Sequence, residues 1–182
     1  EFRRVLFRSI SRDGVLWRQS YRRGAPDGGL EKVRGARPER TGTNIRFLPD
    51  PEIFETTDYD FDTLAARFRE MAYLTKGIWI KFIDLRGDGN ERNFYFDSGI
   101  EAYVRHINRG RNPLHPDPIA ISNERDGISV DVALQYNSTF GESVHSFANC
   151  INTIDGGSHM TGFRSALTRA LNEYAQIGRA HV

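Results

Sequence analysis

The sequence predicts an α+β fold in which helices pack on a mainly antiparallel sheet. Three observations favour this class. From Ile128 to Leu134 every second residue is apolar, which is the pattern of a half-buried strand. A glycine-containing turn at residues 86–90 joins two further strand-like runs as a hairpin. Apolar residues recur at helical spacing over residues 163–174, so an amphipathic helix follows the last strands.

Composition is that of a soluble globular protein. The chain has 182 residues, of which 38% are hydrophobic and 27% charged, enough for one domain or somewhat more. A formal net charge of +1 argues against a strongly basic nucleic-acid module, so any DNA contact would come from a local patch. The single cysteine, Cys150, excludes an internal disulfide and a cysteine zinc site. Without a signal peptide or an apolar run of ~20 residues, we expect a cytoplasmic protein with no membrane partner.

The two ends of the chain do not continue the patterns next to them. Residues 1–11 carry no initiator Met and no recognisable fold signal, and the final IGRAHV breaks off from a good helix. We expect residues 1–11 and 176–182 to be a non-native leader and tail, translated from adapter or cloning sequence, and exclude them from the fold prediction. A genuine, variable terminus is the alternative.

Residues 12–50 form a first section that is too short to be a domain. A strand is predicted at 15–21, followed by a turn and a charged loop at 31–40. Thr41-Gly42-Thr43 is a turn feeding a second strand that runs to Phe47, and the prolines at 49 and 51 end it. This section has the character of the last strands of an incomplete domain.

The rest of the chain alternates helices with hairpins. Its predicted elements, in order, are a helix at 61–75, strands at 78–83 and 92–97, a helix at 99–108, strands at 119–123, 128–134 and 143–153, and a helix at 163–174. We find no internal repeat and no low-complexity segment.

Three successive motifs carry a family resemblance. The runs LQYN, SFANCINTIDGGSH and GFRSALTRALNEYA resemble the transducer region of the B subunits of DNA gyrase and topoisomerase IV, the GHKL-type ATPase subunits of bacterial type II DNA topoisomerases. The resemblance covers residues 12–175. It implies that residues 12–50 end a GHKL ATP-binding domain and that residues 51–175 are a transducer domain lacking its C-terminal part. In such an enzyme ATP binding and hydrolysis drive duplex passage and change DNA supercoiling, and this region couples ATP binding to gate closure.

The resemblance also assigns nucleotide-pocket residues. The run TGTNIRF is similar to the last segment of the family's ATP-binding domain, which implies that Thr43 bonds through water to adenine and that Ile45 lines the apolar side. A hydroxyl both donates and accepts, so it suits a purine edge and an ordered water. Arg18 matches an arginine at the mouth of the same pocket. The alternatives are that Thr43 only shapes a strand entry and that Arg18 lies on a solvated face.

The remaining family machinery is not visible in this sequence. No catalytic residue and no metal ligand is predicted, so ATP and Mg²⁺ are expected only of the intact enzyme, and the fragment alone should not hydrolyse ATP. The implied partners are double-stranded DNA, a DNA-cleaving subunit of the gyrase A or topoisomerase IV A type, and a second ATPase subunit in a dimer. The resemblance implies that some arginines face DNA phosphates, but the simpler interpretation is that these side chains lie on solvated faces. The arginines concerned are Arg105, Arg109, Arg111, Arg164 and Arg169.

Two rival interpretations stay open. One is another GHKL ATPase, such as a mismatch-repair or chaperone relative. The other is a stand-alone α+β binding module without ATPase activity, which would form a complete fold alone. Against the second, we predict an exposed apolar edge near Ile45 and Phe47. The glycines at 156–157 are interpreted as a close strand-to-helix turn rather than a phosphate site.

Overall fold

The computed structural model describes residues 5–35 and 39–180, with side chains at 7–35 and 39–176. It divides into two compact units, Glu1–Asp60 and Phe61–Val182. The first four residues of the predicted leader, the last two of the predicted tail, and residues 36–38 of the predicted loop lie outside the described part.

The first unit contains one five-stranded antiparallel sheet. Its strands are β1 Val5–Arg12, β2 Val15–Arg22, β3 Ala25–Pro26, β4 Glu31–Lys32 and β5 Gly42–Arg46. The order is β3-β2-β1-β5, and β4 also pairs with β2. A two-residue turn of Asp13 (φ 52°) and Gly14 (φ 72°) joins β1 to β2. Two positive φ values in succession match the right-handed strand twist and favour this hairpin.

Strand β1 corrects the exclusion of residues 1–11 from the fold. Residues 5–12 lie between β2 and β5 and pair with both, so they are a central strand of the sheet. The origin of residues 1–11 stays a prediction. The charged loop at 31–40 also contains a short strand, since Lys32 pairs with Trp17 and Glu31 with Arg18.

In its described residues, 61–180, the second unit contains three helices and three hairpins. Its elements are α1 Phe61–Leu74, β6 Trp79–Asp84, β7 Asn90–Tyr95, α2 Ile100–Ile107, β8 Ile119–Arg125, β9 Ile128–Leu134, β10 Phe147–Ala148, β11 Ile151–Asn152 and α3 Ser158–Ala180. Every strand pair described in the chain is antiparallel, which confirms the α+β class. The strands of this unit form three separate two-stranded sheets.

The core of the second unit lies between α1 and the β6–β7 hairpin. Ala65 and Ala72 on α1 are buried against Phe94 of β7. Small residues on the helix let the hairpin approach closely, and aromatic rings fill the remaining space. Phe82 stacks on Phe61 at 4.8 Å between ring centroids and packs against Phe68 at 5.0 Å. Such aromatic pairs contribute beyond the area they bury.

The predicted strand at 143–153 is wrong. Its residues form the hairpin β10–β11 with only two residues in each strand. The turn consists of Asn149 (φ 47°) and Cys150 (φ 65°), which both lie in the left-handed region. This is the geometry of a type I′ turn, for which Asn is a preferred residue. Cys150 carries no such preference, so its position hid the turn from the sequence analysis.

Candidate functional site

Two of the three predicted nucleotide-pocket residues lie on β5, which is an edge strand of the first sheet. Thr43 pairs with Ile10 and Ile45 with Arg8 of β1. Because side chains alternate along a strand, Thr43 and Ile45 are on the same face. Ile45 is 60% exposed and Phe47 is 58% exposed, which confirms the predicted exposed apolar edge.

Arg18 lies on the opposite face of the same sheet. It pairs with Ser9 of β1, and Ser9 pairs in turn with Asn44 of β5. Directly opposed residues share a face, so Arg18 is on the face of Asn44, one residue out of phase with Thr43 and Ile45. The sheet therefore brings Thr43 and Ile45 together and does not bring Arg18 to them. Their nucleotide roles stay predictions.

Thr43 and Ile45 together can contact one side of a purine. The Thr43 hydroxyl and the apolar Ile45 side chain can contact a base edge and a base face from the same strand. Within residues 7–35 and 39–176, no group of three or more His, Cys, Asp and Glu side chains is arranged to hold a metal ion.

An ion pair between a half-exposed arginine and a buried carboxylate holds the segment that leaves β5. Arg23 follows β2 in a left-handed conformation, and its Nε lies 3.2 Å from Oδ2 of the buried Asp50. The other carboxylate oxygen of Asp50 accepts the backbone N–H of Glu52 at 3.0 Å, and Arg23 also pairs with the Glu52 side chain. A buried carboxylate is stabilised only with such partners, so these contacts fix the end of β5 to the end of β2. Sequence analysis assigned residues 49–51 only to a strand end.

The LQYN motif builds a polar network at the end of β9. Asn108 is buried at the C-terminal end of α2, and its amide donates to the side-chain oxygen of Gln135 at 3.0 Å. Its own side-chain oxygen accepts from the amide of Asn137 at 2.8 Å. Asn137 in turn accepts from the backbone N–H of Thr139 at 2.9 Å. The motif therefore ties α2 to β9 and to the loop that follows.

His115 extends this network to the loop before β8. Its Nε2 accepts the backbone N–H of Tyr136 at 3.0 Å, so Nδ1 carries the ring proton and donates it to the carbonyl of Asp117 at 2.6 Å. Gln135 donates to the carbonyl of His115 at 2.8 Å. These bonds fix the orientation of the ring and attach the loop before β8 to the residues that follow β9.

The GGSH motif shapes the junction between β11 and α3. Gly156 has φ 78°, a left-handed conformation that glycine adopts without strain, as the turn interpretation requires. The His159 ring folds back so that its Nε2 lies 3.3 Å from the Thr153 hydroxyl, which also contacts the Ser146 hydroxyl at 2.6 Å. These contacts attach the β10–β11 hairpin to the first turn of α3.

A groove between α1 and α2 collects titratable side chains from separate segments of the chain. The Tyr103 hydroxyl donates to Oε1 of Glu70 at 3.4 Å and lies 3.4 Å from Nδ1 of His145. Burial, together with the negative charge of Glu70, raises the pKa of Tyr103 to about 12. Burial, with Arg69 and Arg109 nearby, lowers the pKa of His106. Only the fold brings these residues together, since they come from three separate segments.

Among the arginines considered for DNA contact, two are paired with carboxylates. Arg164 on α3 lies 2.6 Å from Glu142, and Arg105 on α2 lies 3.1 Å from Asp117. Both side chains are about half exposed, so these pairs are surface interactions of small energy. Across the described residues, no helix combines the length and apolar character needed to cross a bilayer.

Comparison with known proteins gives consistent matches to one family. The family model described as DNA gyrase B matches residues 99–180. The DNA gyrase B subunit of Bacillus mycoides is 44% identical over 92% of this chain and 41% of its own length. Its counterpart in Halalkalibacterium halodurans is 45% identical over 92% of this chain and 26% of its own length. The chain thus spans less than half of these curated relatives.

Solved structures agree with the sequence matches. The 43K ATPase domain of Thermus thermophilus gyrase B, in complex with an aminocoumarin, superposes with a TM-score of 0.79 and 33% identity, over 96% of this chain and 47% of that one. The gyrase B-subunit of Myxococcus xanthus gives a TM-score of 0.81 and 29% identity, over 94% and 50%. Both units of the chain are therefore included in the structural match.

Proposed function

We propose that the chain belongs to the DNA gyrase B family and is a segment of the ATPase subunit of a type II DNA topoisomerase. The observation that carries the proposal is 44–45% identity to gyrase B subunits over 92% of the chain. Identity of that extent includes the last strands of the first unit as well as the helices and hairpins of the second. In the intact protein this segment would serve an ATP-driven change in DNA supercoiling in the cytoplasm.

We assign the two parts of the chain different tasks. Residues 12–50 would end the ATP-binding domain, and residues 51–175 would form most of the transducer domain. Thr43 and Ile45 would contact the adenine from β5. Arg18, on the opposite face, would reach the mouth of the nucleotide pocket only by extending around the edge of the sheet. ATP with Mg²⁺ would supply the free energy for gate closure in the intact enzyme. The partners of that enzyme would be duplex DNA, the DNA-cleaving subunit and a second copy of the ATPase subunit.

The transducer elements are suited to moving as a rigid body. Helix α2 is fixed to β9 by the Asn108–Gln135–Asn137 network, and the start of α3 is fixed to β10–β11 through Thr153 and His159. Polar networks of this kind, when satisfied, hold one arrangement of their elements. A displacement at one end would then be transmitted rather than absorbed locally.

A chimera tests this proposal. Residues 12–175 replace the aligned segment of the H. halodurans gyrase B protein, which is purified with its DNA-cleaving partner. We expect ATP-dependent supercoiling of relaxed plasmid. Thr43→Val in the chimera, which removes the hydroxyl and keeps the shape, should raise KM for ATP about 10-fold, equivalent to about 1.4 kcal/mol of binding free energy. Thr41→Val is the matched control and should leave KM unchanged.

Two outcomes would count against the proposal. A chimera that assembles with its partner and hydrolyses ATP, but introduces no supercoils, would remove the coupling role. An unchanged KM in the Thr43→Val chimera would remove the adenine contact. Another GHKL ATPase, such as a mismatch-repair or chaperone relative, is disfavoured because the matched family model is that of DNA gyrase B.

A further inference from the structure

The groove between α1 and α2 has the size of a small-molecule site. Its volume is about 460 Å³, within the usual range for ligand clefts. Arg67, Arg69 and Glu70 of α1 form one wall, and Tyr103 and His106 of α2 form the other. Arg111 and side chains of the segment 143–145 complete the lining.

The charged side chains that line this groove carry a net positive charge. Glu70 is the one carboxylate among its described lining residues, and it is already paired with Arg67. No ion pair joins Arg69 or Arg111 to a carboxylate in the part of the chain that the structure describes, which leaves two guanidinium groups without an anionic partner. Guanidinium groups present forked donors that match phosphate oxygens.

The groove also offers neutral donors. Ser143 Oγ lies 3.4 Å from His145 Nε2, and both side chains line the same cleft. Hydroxyl and imidazole donors beside guanidinium groups can satisfy the several oxygens of one anion.

We propose that this groove binds a small phosphate-class anion, of inorganic pyrophosphate or phosphorylated-metabolite size, held by the guanidinium groups of Arg69 and Arg111. The site is separate from the predicted nucleotide residues on β5, and the inference does not rest on the proposed topoisomerase function. Cleft volume favours a small ligand over a duplex, whose backbone would lie across the mouth rather than enter.

Isothermal titration calorimetry of the 182-residue chain with sodium pyrophosphate tests the site. We expect saturable binding that weakens as salt is raised, since partly exposed charge pairs are screened. Arg111→Gln should raise Kd at least about 10-fold, a loss of about 1.4 kcal/mol. Arg69→Gln should do the same. Arg69 also lies over the Phe94 ring at 5.7 Å, so Arg111→Gln is the cleaner variant.

Arg125→Gln is the matched control, because Arg125 is an exposed arginine of the same unit outside the groove lining. Circular dichroism must show equal helix content in every variant. A pyrophosphate-dependent change in the NMR shifts of the His106 ring, absent in Arg111→Gln, would localise the ligand. Absence of binding at millimolar pyrophosphate would overturn the proposal, as would equal loss in Arg125→Gln. A short DNA duplex that binds with the same dependence on Arg111 while pyrophosphate does not would also overturn it.

Discussion

Gly157 leaves no room for a side chain next to the His159 ring. A Cβ at this position would lie 2.8 Å from two ring atoms of His159, Cε1 and Nδ1. We expect Gly157→Ala to displace the ring and break its contact with the Thr153 hydroxyl, lowering the free energy of unfolding by about 1 kcal/mol. Urea unfolding followed by circular dichroism measures the change.

Substitution of Gly162 in α3 should have the opposite effect on the free energy of unfolding. A Cβ there would have no neighbour within 4 Å, so Gly162→Ala should stabilise α3 by about 0.5–1 kcal/mol.

The cost of Gly157→Ala should vanish when His159 is already alanine, because the ring is then absent. If Gly157→Ala destabilises equally in both backgrounds, the His159 contact is not the cause.

Tyr103 makes stability depend on alkaline pH. Its pKa is raised from 10.0 to about 12 by burial and by Glu70, so the folded state holds the phenolic proton more tightly than the unfolded state. The resulting stabilisation is complete below pH 10 and is lost as pH rises from there through about 12. Glu70→Gln should move the tyrosinate absorbance transition to lower pH, because the carboxylate that opposes ionisation is gone. Tyr103→Phe should remove one tyrosine from the high-pH end of that transition, and an unmoved transition in Glu70→Gln would contradict this account.

At the scale of elements, the sequence predicted where helices and strands lie, but not which face of the first sheet each side chain occupies. Periodicity alone predicted α1, the β6–β7 hairpin and β8–β9 close to their observed bounds. The face occupied by Arg18 depends on β1, which lies between β2 and β5 and sets the phase between them. Because residues 1–11 were excluded from the fold, that phase was not available, and the resemblance alone assigned all three residues to one pocket.

The polar motifs show the same limit. LQYN and GGSH carry the family resemblance, but sequence could not show that Asn108, 27 residues before Gln135, is the partner that gives LQYN its role. Contacts between distant segments follow from packing, and no local period encodes them. The groove residues Glu70, Tyr103 and His145 are a second example, since their contacts span 33 and 42 residues.

The turn of the β10–β11 hairpin carries a residue that its backbone does not favour. Cys150 has φ 65°, where a side chain crowds the following carbonyl at a cost of about 1 kcal/mol. Cys150→Gly should therefore be more stable than Cys150→Ala by about that amount in urea unfolding. Both variants lose the 3.6 Å contact between Sγ and the Thr75 hydroxyl, so their difference isolates the backbone. Equal stabilities would show that the turn relaxes at no cost.

At the scale of the whole molecule, large apolar side chains are exposed in both units. In the first unit they are Ile45 and Phe47, at and just beyond the end of β5. In the second unit one face of the β8–β9 hairpin carries mostly apolar residues, and Ile121, Ile128 and Val130 on it are each more than half exposed. A module that folds and works alone would cover most of such surface, whereas a segment of a longer subunit leaves it for the neighbouring parts of that subunit. The exposed faces therefore count against a stand-alone binding module.

An environment-sensitive dye tests that conclusion on the isolated chain. We expect dye emission well above that of a folded control protein of equal mass, because contiguous apolar surface of this extent binds such dyes. Ile121→Thr combined with Val130→Thr should lower the emission while keeping strand-forming β-branched side chains. Ser122→Thr combined with Ser129→Thr is the matched control, because those residues lie on the opposite face of the hairpin and should leave emission unchanged. Emission at the level of the folded control would mean that the chain covers its own apolar faces, and the stand-alone module would then be the better account.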